Sequence, residues 1–444
     1  MPLTPPVAPG DRLELTFGAV ATGGEGLARH QGYAIFAPFV GPGDRARVEV
    51  TAAGPRFGRA VLVEVLEPGP HRARPGCPYF GDCGGCQLQH LSYPAQLEAK
   101  RGFVADSLSR LASLEVEVAP AVPSHPHWNY RTTTQYAALM QDGGIGFGFR
   151  RYHSHDVLPI EDCPITQAAS NNVMRVVRGL LRGEHRDLAG PMGGLTVRHS
   201  PATGQTLALL HLQGPPQAAA GLARDLAREV PTVAGVLAGP PAGPGRSPHL
   251  ELLAGHGFLE QRLGPYHYRV SATSFFQVNP AVAARLAVLV TELVAVQPGE
   301  SVIDAYAGVG TLSVPLAGVA RELLVVEAER TAIADARRNL RELPAETALL
   351  PGTAEKRLGA LARAGVRAGV VVLDPPRRGC PEAVLRAASA LAPRAVVLVS
   401  CDPAAFARDL GVLARLGYPP AAATPLDMFP QTAHVEAVAL CRRR

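Results

Sequence analysis

The sequence contains very little lysine. Lys100 and Lys356 are its only two, and arginine supplies the rest of the positive charge. Arginine suits bidentate phosphate contacts, but a bias toward arginine, alanine and proline is equally typical of a GC-rich genome. The formal net charge of +5 does not by itself indicate a nucleic-acid-binding protein. Composition therefore decides little about the partner of this chain.

The chain also lacks long apolar runs. None approaches the ~20 residues of a membrane-spanning helix, so we expect no membrane association. Residues 1–6 show no basic region followed by an apolar core, which argues against a signal peptide. Seven cysteines in 444 residues, without a secretory signal, do not favour a disulfide scaffold. We therefore expect a cytoplasmic protein of two or three domains.

Residues 1–68 have an all-β pattern. Short runs rich in β-branched residues alternate with glycine-containing segments. The predicted strands are 12–17, 33–36, 46–50 and 60–66, with turns at 23–26 and 41–43. Strands at this spacing predict a small barrel of the OB type, a fold that commonly binds nucleic acid.

A cysteine cluster follows the predicted barrel. Cys77, Cys83 and Cys86 lie within ten residues of one another, and Cys163 comes much later. Structural zinc usually takes its cysteines as two close pairs, whereas a close triple with one distant partner fits a 4Fe-4S cluster better. The spacing favours the cluster and leaves zinc open.

The rest of residues 69–265 reads as an α+β domain. An amphipathic helix is predicted near 95–111, further helices at 168–181 and 216–229, strands at 195–199 and 206–213, and a surface loop at 240–245. Aromatic and basic residues interleave from 125 to 152. That mixture suits stacking of unpaired bases, but a half-buried antiparallel sheet has the same composition.

Residues 266–444 alternate strands with helices. A strand ending at Asp304 leads into Gly308-Val309-Gly310, and the next strand ends at Glu327. The third glycine of the dinucleotide-binding fingerprint is missing. This unit therefore suits S-adenosylmethionine better than NAD.

Two later strand ends carry Asp374 and Cys401. Open α/β sheets bind ligands at the carboxyl ends of their strands, so these side chains, with Asp304 and Glu327, are predicted to face one crevice. If the last strand, 435–440, is antiparallel to the strand before it, Glu436 also lies near Cys401. An acid within an apolar run favours a functional role. We interpret Cys401 as a nucleophile.

Several motifs occur together in order, and they carry a family resemblance. They are the four cysteines, Phe276-Gln277-Val278-Asn279, Asp304-Ala305-Tyr306-Ala307-Gly308-Val309-Gly310, Asp374-Pro375-Pro376-Arg377, Ser400-Cys401-Asp402-Pro403 and Leu426-Asp427-Met428-Phe429-Pro430 with His434-Val435-Glu436. Over nearly its whole length the chain resembles the RNA (uracil-5-)-methyltransferases of the RumA/TrmA family.

The resemblance implies a multidomain fold. Its parts are an OB-like TRAM barrel at 1–68, a central α+β domain with a 4Fe-4S site at 69–265, and a Rossmann-like class I methyltransferase domain at 266–444. It also implies that the helix near 95–115 packs on the catalytic domain. The expected partner is structured RNA, with 23S rRNA preferred and tRNA as the alternative, and the expected state is a monomer.

The resemblance also assigns site residues. Cys401 and Glu436 are the implied catalytic pair, and Cys77, Cys83, Cys86 and Cys163 the implied cluster ligands. The implied S-adenosylmethionine contacts are Gln277, Tyr306, Thr311, Glu327, Thr353 and Asp374. Two positions depart from the family pattern: Ala307 replaces a frequent cysteine, and Thr353 stands where Asp or Asn is common.

Two other functions fit parts of the sequence. An amino-methyltransferase would share the Asp374-Pro375-Pro376 motif, but such enzymes usually need an aromatic residue where this chain has Arg377. A non-catalytic RNA-binding protein or chaperone would use only the barrel and the cysteine domain. Neither alternative needs Cys401 and Glu436.

Overall fold

The computed structural model describes residues 5–141, 143–240 and 249–444. From residue 241 onward, the loop predicted at 240–245 lies outside the described residues. The described backbone forms three large sheets and one two-stranded hairpin. Among these residues, no helix combines the length and apolar character needed to cross a bilayer.

The first sheet curls into a barrel. Its strands are β1 (Arg12–Thr16), β2 (Ala19–Val20), β3 (Glu25–His30), β4 (Tyr33–Pro38), β5 (Arg45–Ala53) and β6 (Phe57–Glu67). Their order is β1-β5-β6-β4-β3-β2, with only β4 and β6 parallel, and β1 also contacts β3. Phe17, Ile35 and Val48 fill the interior.

One predicted turn in the barrel is partly wrong. β3 already begins at Glu25, inside the segment 23–26. Gly26 is needed there for close packing, because a Cβ at this position would lie 2.5 Å from the carbonyl oxygen of Val40.

Helix α1 (Tyr93–Ala112) and the short strand β7 (Glu117–Val118) follow the cysteine segment. Phe103, Val104 and Leu108 recur at helical spacing and form the buried face of α1. β7 is an edge strand of the third sheet, and α1 packs against that sheet.

The second sheet has seven strands in the order β10-β9-β8-β11-β12-β13-β14. They are β8 (Thr133–Gln141), β9 (Gly144–Arg150), β10 (Val157–Pro159), β11 (Met192–His199), β12 (Thr206–Leu212), β13 (Val233–Gly239) and β14 (Glu251–Gly255). Helices α2 (Ala168–Arg182) and α3 (Ala220–Glu229) pack on it. Tyr136 and Phe147 are buried in this core, so part of the aromatic stretch at 125–152 serves packing.

The hairpin β15 (Phe258–Leu263) and β16 (Tyr266–Ser271) leads into the third sheet. Its helices are α4 (Pro280–Val294), α5 (Ser313–Ala317), α6 (Arg330–Asn339), α7 (Ala354–Arg363), α8 (Glu382–Ala390) and α9 (Pro403–Arg415). Its strands are β17 (Ser301–Ala305), β18 (Glu322–Glu327), β19 (Glu346–Pro351), β20 (Val370–Leu373), β21 (Ala395–Ser400), β22 (Pro420–Leu426) and β23 (Glu436–Arg442), together with β7.

This third sheet has the order β19-β18-β17-β20-β21-β23-β22-β7, and β17 to β21 are parallel. Helices cover both faces: α4, α5 and α6 pack into one core and α1, α7, α8 and α9 into the other. The parallel strands are therefore buried on both sides, which explains their continuous apolar sequences.

The last strand, β23, lies between β21 and β22 and is antiparallel to both. The sequence pattern does not predict β22, because Pro420, Pro425 and the alanines between them are poor strand formers. The antiparallel direction of β23 brings its first residue, Glu436, to the carboxyl end of β21.

Candidate active site

Four side chains meet at one edge of the third sheet. β17, β18, β20 and β21 are parallel, so their carboxyl ends lie side by side. Asp304, Glu327, Asp374 and Cys401 occupy those ends and line one cavity of about 1140 Å³. The structure thus brings together the residues that the sequence placed after separate strands.

Glu436 lies beside Cys401. Ser400 pairs with Ala437 across β21 and β23, so the next position on each strand brings Cys401 and Glu436 together. Glu436 is only 3% exposed, and both side chains line the cavity. The thiol and the carboxyl group can therefore contact the same ligand.

The acidic groups around this thiol disfavour one another's charged forms. Burial, then Glu436 and Asp374, raises the pKa of Cys401 to about 12. Burial and Asp374 raise the pKa of Glu436 well above the usual value for glutamate, and burial also raises the pKa of Asp374. Like charges in a confined site cannot all ionise. A cation entering this cavity would favour the ionised carboxylates.

Arg377 and His434 lie on the open side of the cavity. Arg377 contributes a positive charge that lowers the pKa of Cys401 against these larger effects. Its Nη2 lies 3.4 Å from His434 Nδ1, and burial followed by Arg377 lowers the pKa of His434 to about 4. His434 is therefore neutral near pH 7.

The loop after β17 forms another wall of the cavity. The Glu327 carboxylate accepts backbone N–H groups from Gly308 at 2.8 Å, Ala328 at 2.7 Å and Glu329 at 2.8 Å. Gly308 and Gly310 have φ values of 58° and 90°, a region that favours glycine. These contacts hold the loop against β18.

Asp304 is fully buried in the same wall. It accepts a hydrogen bond from the hydroxyl of Ser313 through one oxygen, while Oδ1 has no partner among the described residues. Burial is the main reason that its pKa is raised to about 7. A donor group brought to this wall would therefore meet a carboxyl with spare acceptor capacity.

Most of the expected cofactor residues reach the cavity. Gln277, Tyr306, Thr311, Glu327 and Asp374 all line it. Thr353 does not: its hydroxyl caps α7 by accepting the backbone N–H of Lys356. The structure thus gives Thr353 a local structural role.

The four predicted ligand cysteines lie along the far wall of the same cavity. Burial raises the pKa of Cys86 to about 12. The backbone N–H of Cys77 donates a hydrogen bond to Gln89 Oε1 at 3.1 Å, and the N–H of Gly85 donates to the Cys83 sulfur at 3.4 Å.

The cysteine sulfurs of the described residues do not form a compact, zinc-sized group. Within the described part of the chain, no three of them lie within 4.8 Å of one another. A tetrahedral zinc ion would need its sulfurs about 3.8 Å apart, given zinc–sulfur bonds of about 2.3 Å.

A second cavity of about 720 Å³ adjoins the first. It is lined by the barrel, by the cysteine loop and by the end of β9, including Arg59, Gly85 and Arg151. Arg377, Cys401 and His434 line both cavities. The thiol therefore lies at the junction of a deep cavity and an outer groove.

One conspicuous buried residue was not singled out from the sequence. Lys100, in α1, is fully buried and forms an ion pair with Asp427. Asp427 belongs to the segment that leads to His434 and Glu436. The available signal was its rarity, since only two lysines occur in the sequence.

Comparisons with known proteins identify relatives of this chain. Residues 245–444 match the family described as tRNA (Uracil-5-)-methyltransferase, and residues 6–63 match the TRAM domain. An uncharacterized RNA methyltransferase from Halalkalibacterium halodurans is 35% identical, covering 98% of both chains. Another from Caldanaerobacter subterraneus is 32% identical with the same coverage.

A solved structure is similar over almost the whole chain. It is the Pyrococcus abyssi tRNA (uracil-54, C5)-methyltransferase in complex with S-adenosyl-L-homocysteine. The TM-score is 0.74 at 25% identity, covering 97% of this chain and 100% of that one. The match extends to all three large sheets.

Proposed function

The chain belongs to the family of S-adenosylmethionine-dependent RNA (uracil-5-)-methyltransferases, and on that premise we propose that it methylates carbon-5 of a specific uridine in structured RNA. The observation that carries the proposal is the juxtaposition of Cys401 and Glu436 across β21 and β23, in one cavity with the glycine loop. The N-terminal TRAM domain and the similarity to a solved methyltransferase structure further support this proposal.

Carbon-5 of uracil is a poor nucleophile, which explains the need for a thiol. The Cys401 sulfur forms a bond to carbon-6, and the electrons of the 5,6 double bond move to the carbonyl at carbon-4. Carbon-5 of this enolate then attacks the methyl group of S-adenosylmethionine, and S-adenosylhomocysteine leaves. Covalent catalysis of this kind divides one difficult step into easier ones.

Two protons must be moved by the protein. The raised pKa of Cys401 means that the thiol proton must be accepted as the sulfur adds to the ring. Asp374, the other carboxyl group that acts on Cys401, accepts this proton and leaves Glu436 free. The positively charged sulfonium favours ionised carboxylates in this cavity. Glu436 then removes the proton from carbon-5, the double bond re-forms, and the Cys401 thiolate is expelled. Asp374 lies where it can orient the uracil edge or the donor.

The position of Cys401 requires an extruded base. A uridine stacked in a helix does not expose carbon-6 to a thiol at the junction of the cavity and the groove, so the target base is flipped out of its stack. Cys401 borders both the cavity and the outer groove. The extruded base would occupy the cavity while the neighbouring nucleotides remain in the groove.

Gln277, Tyr306, Thr311, Glu327 and Asp374 are the proposed S-adenosylmethionine contacts, since all of them line the cavity. Thr353 remains only a prediction of the family resemblance. Glu327, at the end of β18, is suited to a ribose diol. A bound donor should place its methyl group between these residues and Cys401.

Cys77, Cys83, Cys86 and Cys163 are the proposed ligands of a 4Fe-4S cluster. Support comes from their spacing in the sequence and from their position along the same cavity. Bound there, the cluster would crosslink two distant segments of the chain. Protein purified without oxygen should be brown and contain iron; a colourless protein with stoichiometric zinc would overturn the assignment.

We favour 23S rRNA as the substrate and a monomeric cytoplasmic enzyme, because the resemblance that includes the cysteine quartet points to the rRNA-modifying branch. A tRNA substrate is the second candidate, since the similar solved structure is a tRNA enzyme. The test is incubation with labelled S-adenosylmethionine and unmodified 23S rRNA or tRNA. Labelled 5-methyluridine in one RNA identifies the substrate; methylated amino groups, or no product with either RNA, would refute uridine methylation.

A further inference from the structure

The buried lysine of α1 contacts the segment that precedes the proposed base. Lys100 is completely buried, whereas Lys356, the only other lysine, is exposed. The Lys100 ammonium donates hydrogen bonds to Asp427 Oδ1 and, at 2.9 Å, to the carbonyl oxygen of Phe429. A buried ammonium group is costly unless it is paired in this way.

Asp427 directly follows the last residue of β22. Leu426, the last residue of β22, pairs with Glu436, the first residue of β23. Asp427 therefore begins the loop 427–435 that closes this pair and ends at the proposed base. Holding Asp427 restrains the backbone next to Glu436.

Other side chains of α1 hold the same loop. The Tyr93 hydroxyl donates to Asp427 Oδ2 at 2.8 Å. The Gln96 amide donates to Gln431 Oε1 at 3.0 Å, and the backbone N–H of Gln431 donates to Gln96 Oε1 at 3.1 Å. One face of α1 thus forms hydrogen bonds with both the start and the middle of the loop.

The loop is also tied to the proposed donor-binding wall. Asn279 caps α4 and donates its amide to the carbonyl oxygen of Met428 at 3.3 Å and to Ser124 Oγ at 2.9 Å. Asn279 is two residues after Gln277, which lines the cavity. The contacts therefore link the segment of Gln277 to the segment of Glu436.

We propose that Lys100, paired with Asp427, is a positioning residue that holds Glu436 in place for proton removal from carbon-5; the inference rests on the proposed function. Lysine suits this site because one compact nitrogen reaches both Asp427 and the Phe429 carbonyl. A planar guanidinium is larger and fixes its donors in a fork. Arginine is the common cation in this chain, which has 41 arginines and two lysines. Position 100 nevertheless carries lysine.

The test compares Lys100→Arg with Lys356→Arg, which makes the same change at an exposed site. The measurements on the full-length protein are kcat, the Kd for S-adenosylmethionine, the melting temperature and the fraction of protein in a denaturation-stable RNA adduct. We expect Lys100→Arg to lower kcat by about ten- to a hundredfold, because a small misplacement of the base is sufficient for that loss. Donor affinity should be unchanged, because Lys100 contacts Asp427 and Phe429 and neither Asn279 nor Gln277. The adduct fraction should rise.

The adduct separates positioning from mere stability. Loss of folded protein lowers adduct and product together, whereas a displaced Glu436 lets the adduct form and delays its resolution. If Lys100→Arg does not fold, Asp427→Asn, which keeps the side-chain shape, is measured in the same way. A variant that behaves like Lys356→Arg, or that loses adduct and product in parallel, overturns the inference. A wild-type protein that forms no 5-methyluridine overturns the proposed function instead.

Discussion

The sulfur of Cys401 is partly exposed at the end of β21, in contact with both cavities. Cys401→Ala removes the group that adds to carbon-6 without changing the glycine loop. We expect turnover to fall by at least about a thousandfold, as is typical when a covalent nucleophile is lost. Binding of S-adenosylmethionine, measured by calorimetry, should be retained.

Cys441→Ala is the matched control for this substitution. Cys441 is also a cysteine of the third sheet, but it pairs with Val396 at the other end of β21 and β23 and is buried in the core. Truncation there should cost about 1 kcal/mol of unfolding free energy and leave turnover intact. Retained activity in Cys401→Ala would remove Cys401 as the nucleophile.

Glu436→Gln tests the second step of the reaction. The amide keeps the size of the side chain but cannot accept the carbon-5 proton, so a methylated protein–RNA adduct should accumulate and its decay should slow by about 10²- to 10⁴-fold. The measurement is single-turnover adduct decay followed on denaturing gels.

The pH dependence of that decay follows from the environment of Glu436. Burial and Asp374 raise the pKa of Glu436, so the carboxyl stays protonated to a higher pH than usual and becomes a base only as the pH rises. Decay in the wild-type protein should therefore accelerate with increasing pH, and decay in Glu436→Gln should not. Rapid, pH-dependent decay in the variant would assign the base elsewhere.

At the scale of single elements, β9 connects the core of the second sheet to the outer groove. Gly148 in β9 pairs with Pro159 in β10, and a Cβ at this position would overlap the carbonyl oxygen of Leu158. Gly148→Ala should therefore separate β9 from β10, which leads toward Cys163. We expect a loss of roughly 2–4 kcal/mol in stability and a lower iron content after purification.

Gly179→Ala provides the control in a helix that packs on the same sheet. Gly179 lies in α2, its added methyl group meets no atom within 4 Å, and its φ is ordinary. Alanine there should stabilise the protein by up to about 1 kcal/mol through helix propensity. Thermal unfolding compares the two variants, and equal stability of both would contradict the steric argument at Gly148.

The elements that the sequence predicts well are those with one dominant signal. The parallel strands β17, β18, β20 and β21 are continuous apolar runs because helices cover both faces of the sheet, and the sequence shows each of them. β22 has no such signal: it is rich in alanine and proline and exists because β23 pairs with it. Tertiary pairing overrides its weak propensity.

The same distinction applies to the site. Side chains that follow apolar strands could be placed at one crevice from the sequence, since parallel strands share an edge. The position of Thr353 outside the cavity could not, because it depends on where α7 begins. The pair of Lys100 and Asp427 is separated by 327 residues in sequence, and no local pattern links the two.

At the scale of the whole molecule, the barrel, the cysteine loop and the third sheet meet around the outer groove. Arg151 lines this groove, and its partner Asp82 stands 3.5 Å away in a pair that is largely exposed. Such a pair is weak in water, so the guanidinium remains available to phosphate. RNA whose base occupies the cavity would pass this arginine.

Arg151→Gln should therefore weaken RNA binding and reduce the slope of log K against log salt by about one, the change expected for one lost phosphate contact. Arg110→Gln is the control, because Arg110 is an exposed arginine of α1 outside both cavities and its pair with Asp106 is also largely exposed. Affinity is measured across a salt series with the identified RNA substrate. If both variants keep the wild-type slope, the RNA backbone does not follow the groove between the barrel and the catalytic sheet.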